Sequence, residues 1–153
     1  MEIIVVIIFM AYSGRYQAMN PKKYKGDPRL VIYRSLWELK FMKWCDTHDH
    51  IVEWGSEEII VPYRSPLDGR LHRYFPDFYI KVKNRKGTFK KYIIEIKPKK
   101  QTQKPLLPRR KTKRYLNEVT TYVTNQAKWD AAREWCLDRG LEFLILTEDH
   151  LNV

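Results

Sequence analysis

Tyr74-Phe75-Pro76-Asp77-Phe78 and, 18 positions after Asp77, Glu95-Ile96-Lys97 decide how the rest of the chain is read. The second triplet closes a run, Lys91 to Lys97, that reads as a buried strand. Strand side chains alternate between faces, so Glu95 and Lys97 share one side and Ile94 and Ile96 the other. Burying a carboxylate or an ammonium is costly unless it is paired or holds a metal. Taken alone, the triplet also fits a salt-bridged pair on a surface strand, because such triplets are common. Two acids and a lysine gathered at one sheet edge suit metal-assisted attack on a phosphodiester instead.

Upstream, Pro66-Leu67-Asp68-Gly69 is a turn signal leading into a strand read from Leu71 to Val82. Alternation puts His72, Tyr74, Phe78, Ile80 and Val82 on one face and Arg73, Phe75, Asp77 and Tyr79 on the other. Pro76 removes a ladder hydrogen bond and predicts a bend or bulge beside Asp77. Asn84 to Gly87 is a hairpin turn, and Phe89 to Lys97 returns. Earlier strand material lies at Ile51 to Trp54 and Glu58 to Tyr63, broken at Gly55. Before it, Ser35-Leu36-Trp37-Glu38 matches the capping box that starts a helix, here ending near Asp46. Trp37, Phe41, Met42, Trp44 and Cys45 fill one arc of that helix, with Glu38 near its middle. Glu38 has two compatible readings: a cap reaching back to the Ser35 backbone, or an acid projecting toward Asp77 and Glu95.

Downstream the character changes. Pro98 to Arg114 holds three prolines, no acids and eight basic residues: Lys99, Lys100, Lys104, Arg109, Arg110, Lys111, Lys113 and Arg114. It reads as a mobile loop, either a solvated linker or a clamp on a phosphate backbone. A helix from about Lys113 to Asp138 follows, with Val119, Tyr122, Val123, Ala127, Trp129 and Gln126 on its apolar side. Gly140 ends it, and Glu142 to Thr147 forms a last strand. The element order is α-β-β-β-α-β, an α/β fold.

The chain has 153 residues and a formal net charge of +11, which suits one domain with a polyanionic partner, nucleic acid before membrane. Residues 1–33 read as an irregular basic arm ahead of a single domain, 34–153, that includes the loop 98–114. Ile3 to Phe9 is apolar but too short to span a bilayer, and Glu2 is wrong for a signal peptide. Residues 1–9 read as an upstream misread start or an added edge strand, with Met10 and Met19 as alternative starts. Cys45 and Cys136 read as reduced core residues. Asp46, His48, Asp49 and His50 could form a metal cluster, although such groups in loops are usually solvated. No P-loop, Rossmann glycine pattern or Ser/His/Asp arrangement occurs.

The element order together with Pro76-Asp77 and Glu95-Ile96-Lys97 resembles the PD-(D/E)xK nuclease superfamily. Phage junction-resolving endonucleases and the TnsA-type transposon end-cutting subunit have similar arrangements. More closely, Asn20 to Asp27, Tyr33 to Glu38, Val52-Glu53-Trp54, Glu57 to Ile60 and Arg70 to Phe75 resemble the head completion proteins of T-even-type phages. That likeness covers residues 13–150. It implies a restriction-endonuclease-like core, a central mixed sheet flanked by helices. It also implies a catalytic set of Glu38, Asp77, Glu95, Lys97 and Gln126, with Asp77, Glu95 and Glu38 holding Mg²⁺, for which Mn²⁺ substitutes. Arg34 and the eight basic loop residues are expected to contact double-stranded DNA. Implied further are an endonuclease acting around DNA packaging and before tail joining, and phage head, portal or neck proteins as partners. No membrane is implied, and the place of action would be the host cytoplasm during phage assembly, with retention in the virion as a further expectation. A non-catalytic DNA-binding assembly protein and a structure-selective nuclease are the competing functions.

Overall fold

The computed structural model describes residues 12–152; the readings of residues 1–9 and Met10 lie outside them. The centre is a four-stranded sheet of β3 (Ile51–Ser56), β6 (Phe78–Lys83), β7 (Phe89–Ile96) and β8 (Glu142–Leu146), in the order β3-β6-β7-β8. β6 pairs antiparallel with both β3 and β7, whereas β8 runs parallel to β7. A parallel neighbour needs a crossover connection. The helix α2 (Lys113–Asp138) supplies it, and Gly140, at φ +70°, follows its end.

Each face of the sheet is covered by one helix, as alternation along β7 requires. Ile94 and Ile96 pack in one core with Trp37, Phe41, Met42 and Cys45 of α1 (Leu36–Thr47). On the other side Ile93 and Tyr79 meet Cys136 of α2, and Trp129 and Ala132 of α2 meet Val61, Tyr63 and Tyr74. Glu95, between Ile94 and Ile96, therefore belongs to the α2 side. The restriction-endonuclease-like mixed α/β architecture follows the expected order, with additions. Cys45 and Cys136 are buried free thiols in the cores on opposite faces. Among the described residues no helix is long and apolar enough to cross a membrane.

Several expectations need correction. The strand read from Leu71 to Val82 is two strands, β5 (Leu71–Tyr74) and β6, separated by Phe75-Pro76-Asp77. β5 leaves the central sheet and pairs antiparallel with β4 (Val61–Arg64), because Pro76 cannot donate to a continuous ladder. β3 continues through Gly55 to Ser56 where a break was expected, and β4 starts at Val61 rather than Glu58. Trp44, assigned to the apolar arc of α1, is 44% exposed. On α2 the buried residues are Asn125, Trp129, Ala132 and Cys136, while Val123 is exposed. A short helix, α3 (Glu148–Leu151), follows β8.

The N-terminal arm is more ordered than its glycines and prolines suggest. β1 (Gly14–Arg15) pairs with β2 (Ile32–Tyr33), and 3-10 turns occupy Pro21–Lys23 and Pro28–Leu30. Tyr16, Tyr24 and Val31 enter the α1 core, where Tyr16 and Tyr24 meet Trp54 edge-on. Asp46 is fully buried rather than solvated. Its carboxylate accepts from the Tyr16 hydroxyl at 2.6 Å, Met19 N at 2.7 Å and Asn20 N at 3.0 Å. Asp46 thus ties the arm to the end of α1.

Candidate active site

The break that Pro76 makes between β5 and β6 builds the site. It lets Tyr74, at the end of β5, and Asp77, just before β6, both reach Glu95 on β7. The Tyr74 hydroxyl donates to Glu95 Oε2 at 2.6 Å, and Asp77 N approaches the same oxygen at 3.4 Å. In return Asp77 Oδ2 accepts from Ile96 N at 2.8 Å. Lys97, one residue past the strand end, lies with its Nζ 3.7 Å from Glu95 Oε1. Asp77, Glu95 and Lys97, predicted as site residues, are therefore brought together.

The helix acid is reached through its cap. Ser35 Oγ accepts from Glu38 N at 3.1 Å, so α1 starts where expected. The Glu38 carboxylate takes Arg34 N at 2.7 Å rather than the Ser35 backbone. It remains within electrostatic range of both other acids, since its charge raises Asp77 and the charge of Glu95 raises it. Capping and site placement coexist at Glu38.

Burial and mutual repulsion dominate the electrostatics. Asp77 is partly accessible at the surface but densely surrounded, and its carboxyl is pushed well above the usual range. Burial is the main cause, followed by the charges of Glu95 and Glu38, with the Ile96 N–H and Lys97 acting oppositely. Glu95, 5% exposed, is raised by burial against the pull of Lys97 and Tyr74. Glu38 is also raised by burial, opposed by the Arg34 N–H. Clustered acids with raised affinities for protons are a common mark of functional sites.

Two side chains belong here that the sequence reading did not single out. Glu57, between β3 and β4, holds a left-handed backbone at φ +55° and donates its N–H to the Asp77 carbonyl at 3.0 Å. A non-glycine residue in that region is strained, and such strain gathers at functional sites. Its carboxylate receives both arms of Arg34, at 2.9 and 3.0 Å, so Arg34, expected on DNA, is an ion-pair partner at the site rim. Lys128 on α2 feels the charges of Glu95 and Lys97. Neither had a signal in the spacing: Glu57 directly follows the end of β3, and Lys128 is one basic residue on a mixed helix. Gln126, within α2, is half-buried, and its side chain forms no hydrogen bond among the described residues.

Of the expected loop contacts, Lys99 is tied to Asp149 at 3.1 Å and Arg114 to Glu118 at 3.2 Å, and Lys100 also has a partner. Lys104, Arg109, Arg110, Lys111 and Lys113 are exposed and have no ion pair among the described residues. No group of three His, Cys, Asp or Glu side chains among the described residues is spaced as a metal cage, including the Asp46–His50 segment.

Tyr74→Phe tests the brace on Glu95. Outer-shell hydrogen bonds to site carboxylates are worth roughly 10- to 100-fold. A drop in cleavage rate of about tenfold, with a loss of about 1 kcal/mol in stability, is the expected result; wild-type cleavage would show that Glu95 needs no brace.

A mixed sheet flanked by helices, with two linked acids and a lysine at one end of its two central strands, defines a restriction-endonuclease-like nuclease. The TnsA-like endonuclease N-terminal family matches residues 48–148, which include Asp77, Glu95 and Lys97 but begin after Glu38. Over 147 residues the chain is 43% identical to the head completion nuclease of Enterobacteria phage T4, covering 94% of this chain and 95% of that protein. The chain belongs to the TnsA-like endonuclease family, and it is a phosphodiester hydrolase acting as a DNA endonuclease.

Proposed function

We propose that this endonuclease is Mg²⁺-dependent, with Mn²⁺ as a substitute, and that it cuts double-stranded DNA during phage head completion. The stage is around packaging and before tail joining, in the host cytoplasm, alongside head, portal or neck proteins. The resemblance to the T4 head completion nuclease supports the setting. The chemistry rests on one observation: Asp77 N approaches Glu95, the Ile96 N–H holds the Asp77 carboxylate and the Tyr74 hydroxyl holds that of Glu95, with Lys97 beside them.

The donor set fits a hard divalent ion. Asp77 Oδ1 accepts no hydrogen bond among the described residues, and Glu95 Oε1 has Lys97 at 3.7 Å. Mg²⁺ keeps several waters and is commonly bound through one or two carboxylates, so a closed cage of three is not required. Asp77 and Glu95 would hold it, with Glu38 acting through water. Such an ion neutralises charge on the phosphate and lowers the pKa of bound water. Lys97 orients the attacking water and offsets the negative charge that develops on the phosphate. Tyr74 and the Ile96 N–H fix the two carboxylates. No step is assigned to Gln126.

Cleavage of supercoiled and linear plasmid, with Mg²⁺ and with EDTA, tests the reading on wild type and Lys97→Ala. Wild type should cut only with Mg²⁺, and Lys97→Ala should cut about 100-fold more slowly while binding DNA normally, in line with the loss of one transition-state donor. Metal-independent cleavage would refute the assignment. Binding without cleavage by wild type would favour a non-catalytic assembly role.

A further inference from the structure

We infer that Lys128, held against the rings of Tyr63 and Tyr74, forms a subsite for a backbone phosphate of DNA beside the acid pair. The inference rests on the endonuclease reading above and adds a residue to it. Lys128 lies near the middle of α2, half-buried, facing the β4–β5 hairpin. Its Nζ is 5.8 Å from the centroid of the Tyr63 ring and 5.7 Å from that of Tyr74. Aromatic faces attract an ammonium at this range without consuming its N–H donors. Lys128 makes no hydrogen bond and no ion pair among the described residues, so all three donors remain for an anion.

The surroundings say which anion. Glu95 attracts Lys128, yet the carboxylate already carries Lys97 at 3.7 Å and the Tyr74 hydroxyl at 2.6 Å. Lys97 and Lys128 repel each other across the same small space. Glu95 is therefore already engaged, and the donors of Lys128 remain for a further anion, which a phosphate diester supplies. A DNA strand entering the site approaches Glu38, Asp77 and Glu95, all acidic, and a cation on the α2 side offsets that repulsion. The Tyr74 ring serves as the wall while its hydroxyl braces Glu95, which joins the subsite to the acids through a single side chain.

A merely structural role would make Lys128 a counter-charge for Glu95. The two roles differ in how binding depends on salt, because each neutralised phosphate of duplex DNA contributes about 0.9 to the slope of log K against log salt. Full-length wild type, Lys128→Gln and Lys128→Arg are to be titrated onto a fluorescent 20-base-pair duplex in EDTA across a series of KCl concentrations. Lys128→Gln should reduce the slope by about one and weaken binding, and Lys128→Arg should restore both. With Mg²⁺, Lys128→Gln should cleave about tenfold more slowly at an unchanged melting temperature. A wild-type slope in Lys128→Gln overturns the subsite, whatever happens to the rate, and would leave Lys128 as a counter-charge. If Lys128→Gln does not fold, Lys128→Arg with an altered slope overturns it equally. Wild type that cleaves with Mg²⁺ keeps the endonuclease reading intact in either case, whereas wild type that neither binds nor cleaves removes both.

Discussion

Asp77→Asn is expected to abolish cleavage while making the metal-free protein more stable. The two effects have one source. Asp77 sits in a dense environment facing the charges of Glu95 and Glu38, so its folded-state affinity for a proton is raised well above that of an ordinary carboxyl. Between the ordinary carboxylate range and that raised value, the folded chain keeps a proton that the unfolded chain has released. Stability therefore falls as pH rises through this window and is lower above it. Asparagine keeps an oxygen for the Ile96 N–H, now at 2.8 Å from Asp77 Oδ2, and removes the charge. The melting temperature at neutral pH in EDTA should rise by a few degrees, and the fall with pH should flatten. The same charge is what the proposed ion needs. Electrostatic help of several kcal/mol from such an ion corresponds to about 10³-fold in rate, so residual cleavage should be at or below that level. Plasmid cleavage and thermal melts on one preparation check both halves. Cleavage surviving in Asp77→Asn would move the chemistry elsewhere; a lower melting temperature would mean that Asp77 is a structural ion.

The part of this site that was legible came from local periodicity. Alternation along one strand sufficed to put Glu95 and Lys97 on the same side, and a serine three residues before a glutamate sufficed to start α1. The relation of Tyr74 to Asp77 was not legible. Alternation along a single strand from Leu71 to Val82 places them on opposite faces, whereas the separation of β5 from β6 at Pro76 aims both at Glu95. A proline announces a break but not the direction that the chain takes after it. Glu57 and Lys128 were hidden for a related reason. They reach the site through the packing of the β3–β4 connection and α2 against the sheet, and no spacing along the chain encodes that packing. The apolar arc drawn on α2 held only in part: Trp129 is buried with Ala127 packed against its core, whereas Val123 is exposed, and tertiary contact adds Asn125, Ala132 and Cys136 to the buried side.

The N-terminal arm gave the least signal, and Asp46→Ala is expected to show how much depends on it. Irregular segments lack a repeating pattern, so nothing in residues 12–33 indicated which donors would converge on one carboxylate. In the folded chain Asp46 is fully buried and receives the Tyr16 hydroxyl, Met19 N and Asn20 N. Burial first, then the hydrogen bond to Asp46, pushes the Tyr16 phenol far above its ordinary value, so it stays a donor at every relevant pH. Alanine removes the acceptor from all three donors at once. A buried donor left unpaired costs about 1–3 kcal/mol. Two of these three are only partly buried, so a total loss of about 3–5 kcal/mol is expected. The bonds from Asn20 Nδ2 and Lys23 Nζ end on the Asp46 main-chain oxygen and survive the substitution, which limits the damage. For a chain of this size the loss corresponds to a fall in melting temperature of roughly 10 °C. Tyr16→Phe, which removes one of the three donors, should cost about 1 kcal/mol. Because Tyr16 and Tyr24 rest on Trp54 beneath the arm, loosening should begin there. Trypsin should cut Asp46→Ala at Arg15, Lys22 or Lys23 at temperatures where the wild-type arm resists. Urea unfolding within 1 kcal/mol of wild type, together with an unchanged cleavage pattern, would show that Asp46 is not the arm's anchor.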